Sequence, residues 1–260
     1  MPAVTQDHIR YVQFESFKRP ELAHAVFVRH GGISPEPWAS LNFGISTGDL
    51  PERTAENRRR AFAALGRDPE SMADLWLVHS ARILAAEHPE RAWDTGRQGD
   101  GLVTDRPEVT LFMRFADCVP VLLYDPRRMA VGLVHAGWKG TVLKVAAAGV
   151  RKMVEEFGSN PGDLLAGIGP SVGPDHYEVG QEVVNEIRVA YSTTSEEVLI
   201  PRKGSVHLDL WAANRLALEE AGVGQVEVAG ICTACHNHDY FSHRAEKGRT
   251  GRFGVLLALN

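Results

Sequence analysis

The chain has 260 residues, 44% of them hydrophobic and 23% charged, with a formal net charge of −5. That composition is ordinary for a folded protein of one large domain, residues 1–260, and the acidic balance argues against nucleic acid or an anionic membrane as partner. No apolar run approaches the roughly 18 residues of a membrane span, the N-terminal stretch lacks the apolar core of an export signal, and three cysteines are too few for a disulfide framework, so a reducing cytoplasm is expected.

In chain order, His24–Arg29 reads as a strand, and His30–Leu41, rich in Gly, Pro and Ser, as a loop that continues through Asn42-Phe43-Gly44. Asp49-Leu50-Pro51-Glu52 opens a helix, with Pro and acids in its first turn, that runs to Leu65 and stops at Gly66. Its Asn57-Arg58-Arg59-Arg60 run is a solvated face from which one side chain can turn inward. Leu75–His79 is a short apolar strand, Glu87–Gly99 a polar loop, and Gly101–Thr104 and Thr110–Phe115 are further strands. Leu164–Ile168 is a strand followed by the Gly169–Pro174 loop; Tyr177–Tyr191 and Asp209–Gly222 are helices, the second capped by Asp209. Val226–Ile231 and Phe253–Leu259 close the chain as strands. Strands outnumber helices and hairpins mix with crossovers, which predicts an α+β fold of mixed sheets covered by helices.

The chemistry concentrates in Leu111–Thr141. Two apolar runs, Val119–Tyr124 and Met129–His135, flank Asp125-Pro126-Arg127-Arg128. If these four form a hairpin loop, Tyr124 faces Met129, and the same register sets Cys118 opposite His135, with Cβ atoms about 4.5–5.5 Å apart. A thiol and an imidazole that close share a metal or form a nucleophile–base pair; the plain alternative is a buried cysteine beside a satisfied core histidine. One bulge would change the register. The glycine-punctuated turn Ala136–Thr141 leads into a helix over Val142–Phe157, terminated by Gly158. His135 therefore ends a strand just ahead of a helix N-terminus with Lys139 beside it, a turn suited to an anion, although the G-x-x-x-x-G-K-[ST] order is absent.

A second cluster, Cys232-Thr233-Ala234-Cys235-His236, matches the C-x-x-C-H pattern of haem attachment and, with His238 and His243, half a zinc site. Covalent haem needs export, and a structural zinc site would bring a second cysteine pair. The expectation is a strand-to-loop turn with Cys232 and Cys235 dispensable for metal. Ser242–Phe253 carries Arg244, Lys247, Arg249 and Arg252 among glycines, as a phosphate-facing or a solvated loop.

Taken together, Ala116-Asp117-Cys118-Val119-Pro120-Val121-Leu122, His135-Ala136-Gly137-Trp138-Lys139-Gly140 and Val78-His79 resemble the signatures of the laccase-domain family, whose members are described as multicopper polyphenol oxidases and as purine nucleoside phosphorylases. Further blocks match from His30-Gly31-Gly32 through Thr250-Gly251-Arg252, so the resemblance spans nearly the whole chain. It implies a layered α/β/β/α fold related to a cysteine-hydrolase toxin. It implies zinc, with copper as the alternative, on His79, Cys118 and His135, which are then both metal ligands and catalytic residues. Three protein ligands plus an open position is the catalytic pattern for zinc. It also implies substrate contacts at Asn42, Arg58, Lys139 and Arg252. The implied reaction is phosphorolysis of adenosine, inosine or guanosine to base and ribose 1-phosphate, with adenosine deamination a related activity.

The chain departs from the family pattern in two places. Leu77-Val78-His79-Ser80 stands where Gln-Val-His-Gly is usual, and Ser242-His243-Arg244-Ala245 where Ser-Tyr-Arg-Arg is usual. Three other readings compete. One is a metal-free cysteine hydrolase with Cys118 as nucleophile and His135 as base, as in peptidoglycan-precursor editing. Another is copper-dependent phenol oxidation, for which the core offers too few histidines. The third is a non-catalytic metal-dependent binding module.

Overall fold

The computed structural model describes residues 3–260, and in it two six-stranded sheets lie face to face. The first runs in the order Ala3–Gln6, Ile9–Val12, Leu22–Phe27, Phe253–Leu259, Thr110–Phe115 and Met72–Ala73. The second runs Gln225–Val228, Leu165–Ile168, Val119–Asp125, Ala130–Ala136, Gly101–Thr104 and Ile83–Ala85, with parallel pairs at both edges. Strand residues alternate between faces. On Val119–Asp125, Val119, Val121 and Leu123 face outward to helices, whereas Leu122 and Tyr124 enter the layer between the sheets. Phe253, Val255 and Leu257 fill that layer from the other side. Helix Pro51–Ala63 packs Ala61 and Phe62 on the outer face of the first sheet. Helices Val145–Phe157 and Leu210–Glu220 cover the outer face of the second with Val145, Val150, Met153 and Leu218. The result is the α+β, α/β/β/α layering that the resemblance implies. No helix among the described residues is long and apolar enough to cross a membrane.

The central hairpin forms, but its register differs from the expected one. The ladder pairs Asp125 with Ala130 and Pro120 with His135, so His135 does not face Cys118. The cause is Asp125. Its buried carboxylate accepts the Arg127 and Arg128 N–H groups at 2.8 and 3.0 Å, which keeps Asp125 in the strand and moves the loop to Pro126–Met129. Met129 closes it with φ of 50°. The slip is two residues, so faces are conserved: Cys118 sits diagonally from His135 on the same side of the sheet.

Other elements were less visible in the sequence. The Val142–Phe157 helix is broken into Trp138–Val142 and Val145–Phe157 by left-handed Lys144. Leu75–His79 is a loop with one bridge, Trp76 to Gln98, since Arg114 takes the Leu75 carbonyl. Tyr177 precedes a two-residue strand, Glu178–Val179, and the helix begins at Gln181. The N-terminal hairpin turns at Asp7 and His8, both with positive φ as a two-residue hairpin turn of this hand requires, although neither is glycine or asparagine.

Candidate metal centre

The three sequence-nominated donors come together at one end of the layer between the sheets. His135 closes its strand, pointing into that layer against Phe115, with ring centroids 5.5 Å apart. Cys118 stands just before the partner strand, half-buried, after the strained turn residue Asp117 with φ of 85°. His79 reaches in from its loop, its ring edge-on to His135 at 5.1 Å and its Nε2 3.9 Å from the Cys118 sulfur. One ligand atom from each of the three lies within 4.8 Å of the others. Gly137 is required here, because a Cβ would come within 2.7 Å of the His79 ring and 3.0 Å of the Cys118 sulfur.

Asp100, which sequence reasoning missed, organises the cluster. It is fully buried at the head of the Gly101–Thr104 strand. One oxygen accepts His135 Nδ1–H and the His79 backbone N–H, both at 3.0 Å. The other accepts the Ser80 N–H at 2.6 Å and the Ser80 hydroxyl at 2.7 Å. Burial works to raise this carboxyl, but the hydrogen bonds from His135 and Ser80 outweigh it and hold it at about 2. Fixing the His135 Nδ1 proton leaves Nε2 as the lone-pair donor, the arrangement metal-ligating histidines use. It also holds His79 in a left-handed conformation, φ 58°, that is uncommon for residues other than glycine. The departure at Ser80 thus adds a hydroxyl to the carboxylate. Desolvation disfavours charge on the half-buried Cys118 thiol, yet His135 and His79 draw it down to about 6. The donor chemistry fits a catalytic divalent cation: one thiolate, two imidazoles, a carboxylate behind one of them, and an open side.

The open side is a cavity of about 580 Å³, within the range that accepts small molecules. A recess of about 300 Å³ shares His79, Cys118, Trp138 and Tyr177 with it and reaches Lys139. Arg114, Arg244 and Arg252 line the larger space. The one acid in its wall, Asp117, is committed to the Thr233 hydroxyl and the Arg244 N–H, each at 2.6 Å. Burial and the nearby Cys118 charge keep the Tyr177 phenol protonated, and its ring stacks under Arg244 at 5.1 Å.

Of the substrate contacts implied earlier, Lys139 and Arg252 line this space and two do not. Asn42 is fully buried with both amide atoms committed. Its oxygen accepts the Gly44 and Arg252 N–H groups at 2.8 and 2.9 Å, and its NH2 donates to Thr47 and Asp49 at 3.2 and 2.9 Å. No donor or acceptor is left for a ligand, so Asn42 positions Arg252. Arg58 does turn inward, but onto Trp93, 4.7 Å from the ring centroid, where burial and the adjacent Arg114 lower its guanidinium to about 10. Arg114 is the cation from that cluster whose side reaches the cavity.

The C-x-x-C turn is a separate grouping. His236 is turned to its own helix-like turn, its Nδ1 bonded to the Cys232 carbonyl at 3.0 Å, and His238 pairs with Asp239 at 3.1 Å. His243 instead lines the cavity. The side chains that meet Cys232 and Cys235 are Asp175 and His176, from the loop after Leu165–Ile168.

Comparison with known proteins agrees with the resemblance. The family described as "Multi-copper polyphenol oxidoreductase laccase" matches over residues 23–260. A Deinococcus radiodurans protein named purine nucleoside phosphorylase is 40% identical over 244 residues, covering 93% of this chain and 92% of that one. The Bacillus subtilis purine nucleoside phosphorylase YlmD is 34% identical, covering 92% and 89%. The crystal structure of YlmD from Geobacillus stearothermophilus superposes with a TM-score of 0.92 at 32% identity, over all of both chains. This chain belongs to the laccase-domain family of YfiH- and YlmD-type proteins.

Proposed function

We propose that the protein is a zinc-dependent purine nucleoside phosphorylase that takes adenosine, inosine or guanosine and phosphate to free base and ribose 1-phosphate, with adenosine deamination as a secondary activity. The observation that carries this reading is a Cys–His–His donor set on the floor of a cavity lined by Arg114, Arg244, Arg252 and Lys139, its one acid, Asp117, being committed to Thr233 and the Arg244 N–H. The names of the relatives support it. A zinc ion held by His79, Cys118 and His135 would supply a Lewis acid to the reacting nucleoside. Copper fits less well, since the other His/Cys grouping among the described residues is a separate cluster and not further histidines around the first.

The chain's own residues do the rest. Arg244, Arg252 and Lys139 offer charge to a phosphate dianion. Trp138 and Tyr177 provide flat walls for a purine, and the protonated Tyr177 hydroxyl is a donor. In the reaction an oxygen of hydrogen phosphate bonds to C1′ as the C1′–N9 bond breaks, and the base leaves with the proton that the phosphate gives up. We assign the protein to a reducing cytoplasm, where cysteines remain available as metal ligands.

A second reading has its own observation. Asp100, His135 and Cys118 also make a carboxylate–imidazole–thiolate series, with His135 raised to about 9 as burial is overcome by Cys118 and Asp100. That is the constellation of a metal-free cysteine nucleophile. Incubating inosine with the protein, with and without phosphate, tests the first reading. Hypoxanthine and ribose 1-phosphate should form only with phosphate; equal cleavage without it would make the protein a hydrolase.

A further inference from the structure

We infer that Cys232, Cys235 and His176 form a second metal site, a three-donor zinc site that ties the C-x-x-C turn to the loop carrying Tyr177. The argument is geometric and does not rest on the nucleoside reading. Around a tetrahedral zinc, with bonds of about 2.3 Å to sulfur and about 2.0–2.2 Å to nitrogen and oxygen, neighbouring donors stand about 3.4–3.8 Å apart. His176 Nδ1 lies 3.8 Å from the Cys232 sulfur and 3.5 Å from the Cys235 sulfur. Asp175 Oδ2 lies 3.6 Å from the Cys235 sulfur and 3.7 Å from His176 Nδ1. The two nitrogen–sulfur separations lie within the range of those edges, and one ligand atom from each of His176, Cys232 and Cys235 lies within 4.8 Å of the others, with Asp175 beside Cys235 and His176.

The surroundings of the sulfur agree. Cys232 is buried, and its sulfur receives the Gly173 N–H at 3.1 Å and the Cys235 N–H at 3.5 Å. A neutral thiol is a weak acceptor. Two backbone donors aimed at one sulfur suit a metal-bound thiolate, whose remaining charge they offset. Gly173 admits this approach, since a Cβ there would meet the Trp211 ring at 2.9 Å and the Cys232 Cβ at 3.0 Å. Cys235, His176 and Asp175 are solvent-accessible, so a cation has an entry path. The expectation that these cysteines are dispensable for metal assumed that the missing donors must be another cysteine pair. The further donor is a histidine, His176, 56 residues before Cys232 in sequence.

The site has a consequence for the cavity. His176 is joined to Tyr177, and Val172 and Tyr177 line the recess beside Cys118. A cation here fixes that wall from behind; His176 is a positioning residue and touches no substrate.

The test is zinc content per folded chain after loading with zinc and desalting, measured by mass spectrometry of the metal. Wild type should hold two zinc ions. His79→Ala, Cys232→Ser/Cys235→Ser and His176→Ala should each hold one, and the last, on an exposed loop, guards against misfolding of the double variant. His79→Ala loaded with cobalt(II) should show the near-ultraviolet sulfur-to-metal absorption of a two-thiolate site, and Cys235→Ser added to it should lose that absorption. Folded His176→Ala or Cys235→Ser with undiminished metal would overturn the inference. So would a wild type that holds one zinc ion and loses it in His79→Ala.

Discussion

Asp100→Asn is the substitution that most directly probes how the first centre is held. The side chain is isosteric, yet it has one acceptor oxygen where four donors converge. If the amide oxygen faces His135 and His79, the NH2 meets the Ser80 N–H, donor against donor. If the amide turns over, His135 must accept at Nδ1, and its proton moves to Nε2, the atom that has to face the metal. Neither orientation serves both loops. The carboxyl is held at about 2 rather than 3.8, so its interactions contribute about 2 kcal/mol at neutral pH. The sign follows from the depression: this contribution is complete above pH 3.8 and is lost as pH falls through 2. Asp100→Asn should therefore lower stability by roughly 2 kcal/mol, read from denaturant unfolding of the metal-free protein. Zinc affinity should fall about 10- to 100-fold, as for other groups behind a ligating histidine, read by competition with a chromogenic chelator. A folded variant that binds zinc as tightly as wild type would refute the role given to Asp100.

Other substitutions bear on the same architecture. His79→Ala should lose zinc from the first centre and lose turnover while staying folded, with excess zinc restoring part of the activity. A folded, zinc-free wild type that keeps full activity, and is inactivated when Cys118 is alkylated, would instead support the cysteine hydrolase. Gly137→Ala should push the exposed His79 ring aside, costing about 1–3 kcal/mol or weakening zinc binding measurably; unchanged affinity and stability would show that the contact yields freely. His24 is buried and pulled down to about 4 by that burial, its Nε2 accepting the Phe14 N–H at 3.1 Å. Because the unfolded chain takes up the proton first, stability should fall as pH drops from 6.5 to 4, by about 3 kcal/mol. His24→Gln should flatten that slope in unfolding curves, and an identical slope would locate the acid sensitivity elsewhere.

The hairpin illustrates which part of a fold can be read from residues. Its existence follows from two apolar runs around turn residues, but its register depends on where the loop begins, and a side chain decides that. Asp125 captures two backbone N–H groups and shifts both strand ends by one residue. A shift of one in the pairing would have sent Cys118 and His135 to opposite faces; a shift of two keeps them together. The helices were legible where burial is periodic, as in Val145–Phe157, and illegible where tertiary bonds end them. Thr141 is such a place: its carbonyl takes the Tyr191 hydroxyl at 3.1 Å just before Lys144 turns left-handed.

The donors divide along the same line. Cys118 and His135 share one hairpin, so a pairing rule brings them together even in the wrong register. His79 shares no element with them; only the resemblance nominated it, because a loop histidine has no periodicity to betray its direction. What aims it is a buried carboxylate 21 residues further on, lying between two glycines and looking like turn punctuation. The C-x-x-C turn repeats this logic. Its sulfurs are visible as a spacing, whereas His176 belongs to a glycine- and proline-rich loop that reads as a connector. In both places the legible half of the site is local, and the other half is delivered by a loop whose path is set by what it binds: Asp100 for His79, and the Cys232 sulfur, through the Gly173 amide, for His176. Substitutions in those loop contacts should therefore lower metal affinity as ligand substitutions do, while leaving the donors themselves chemically intact.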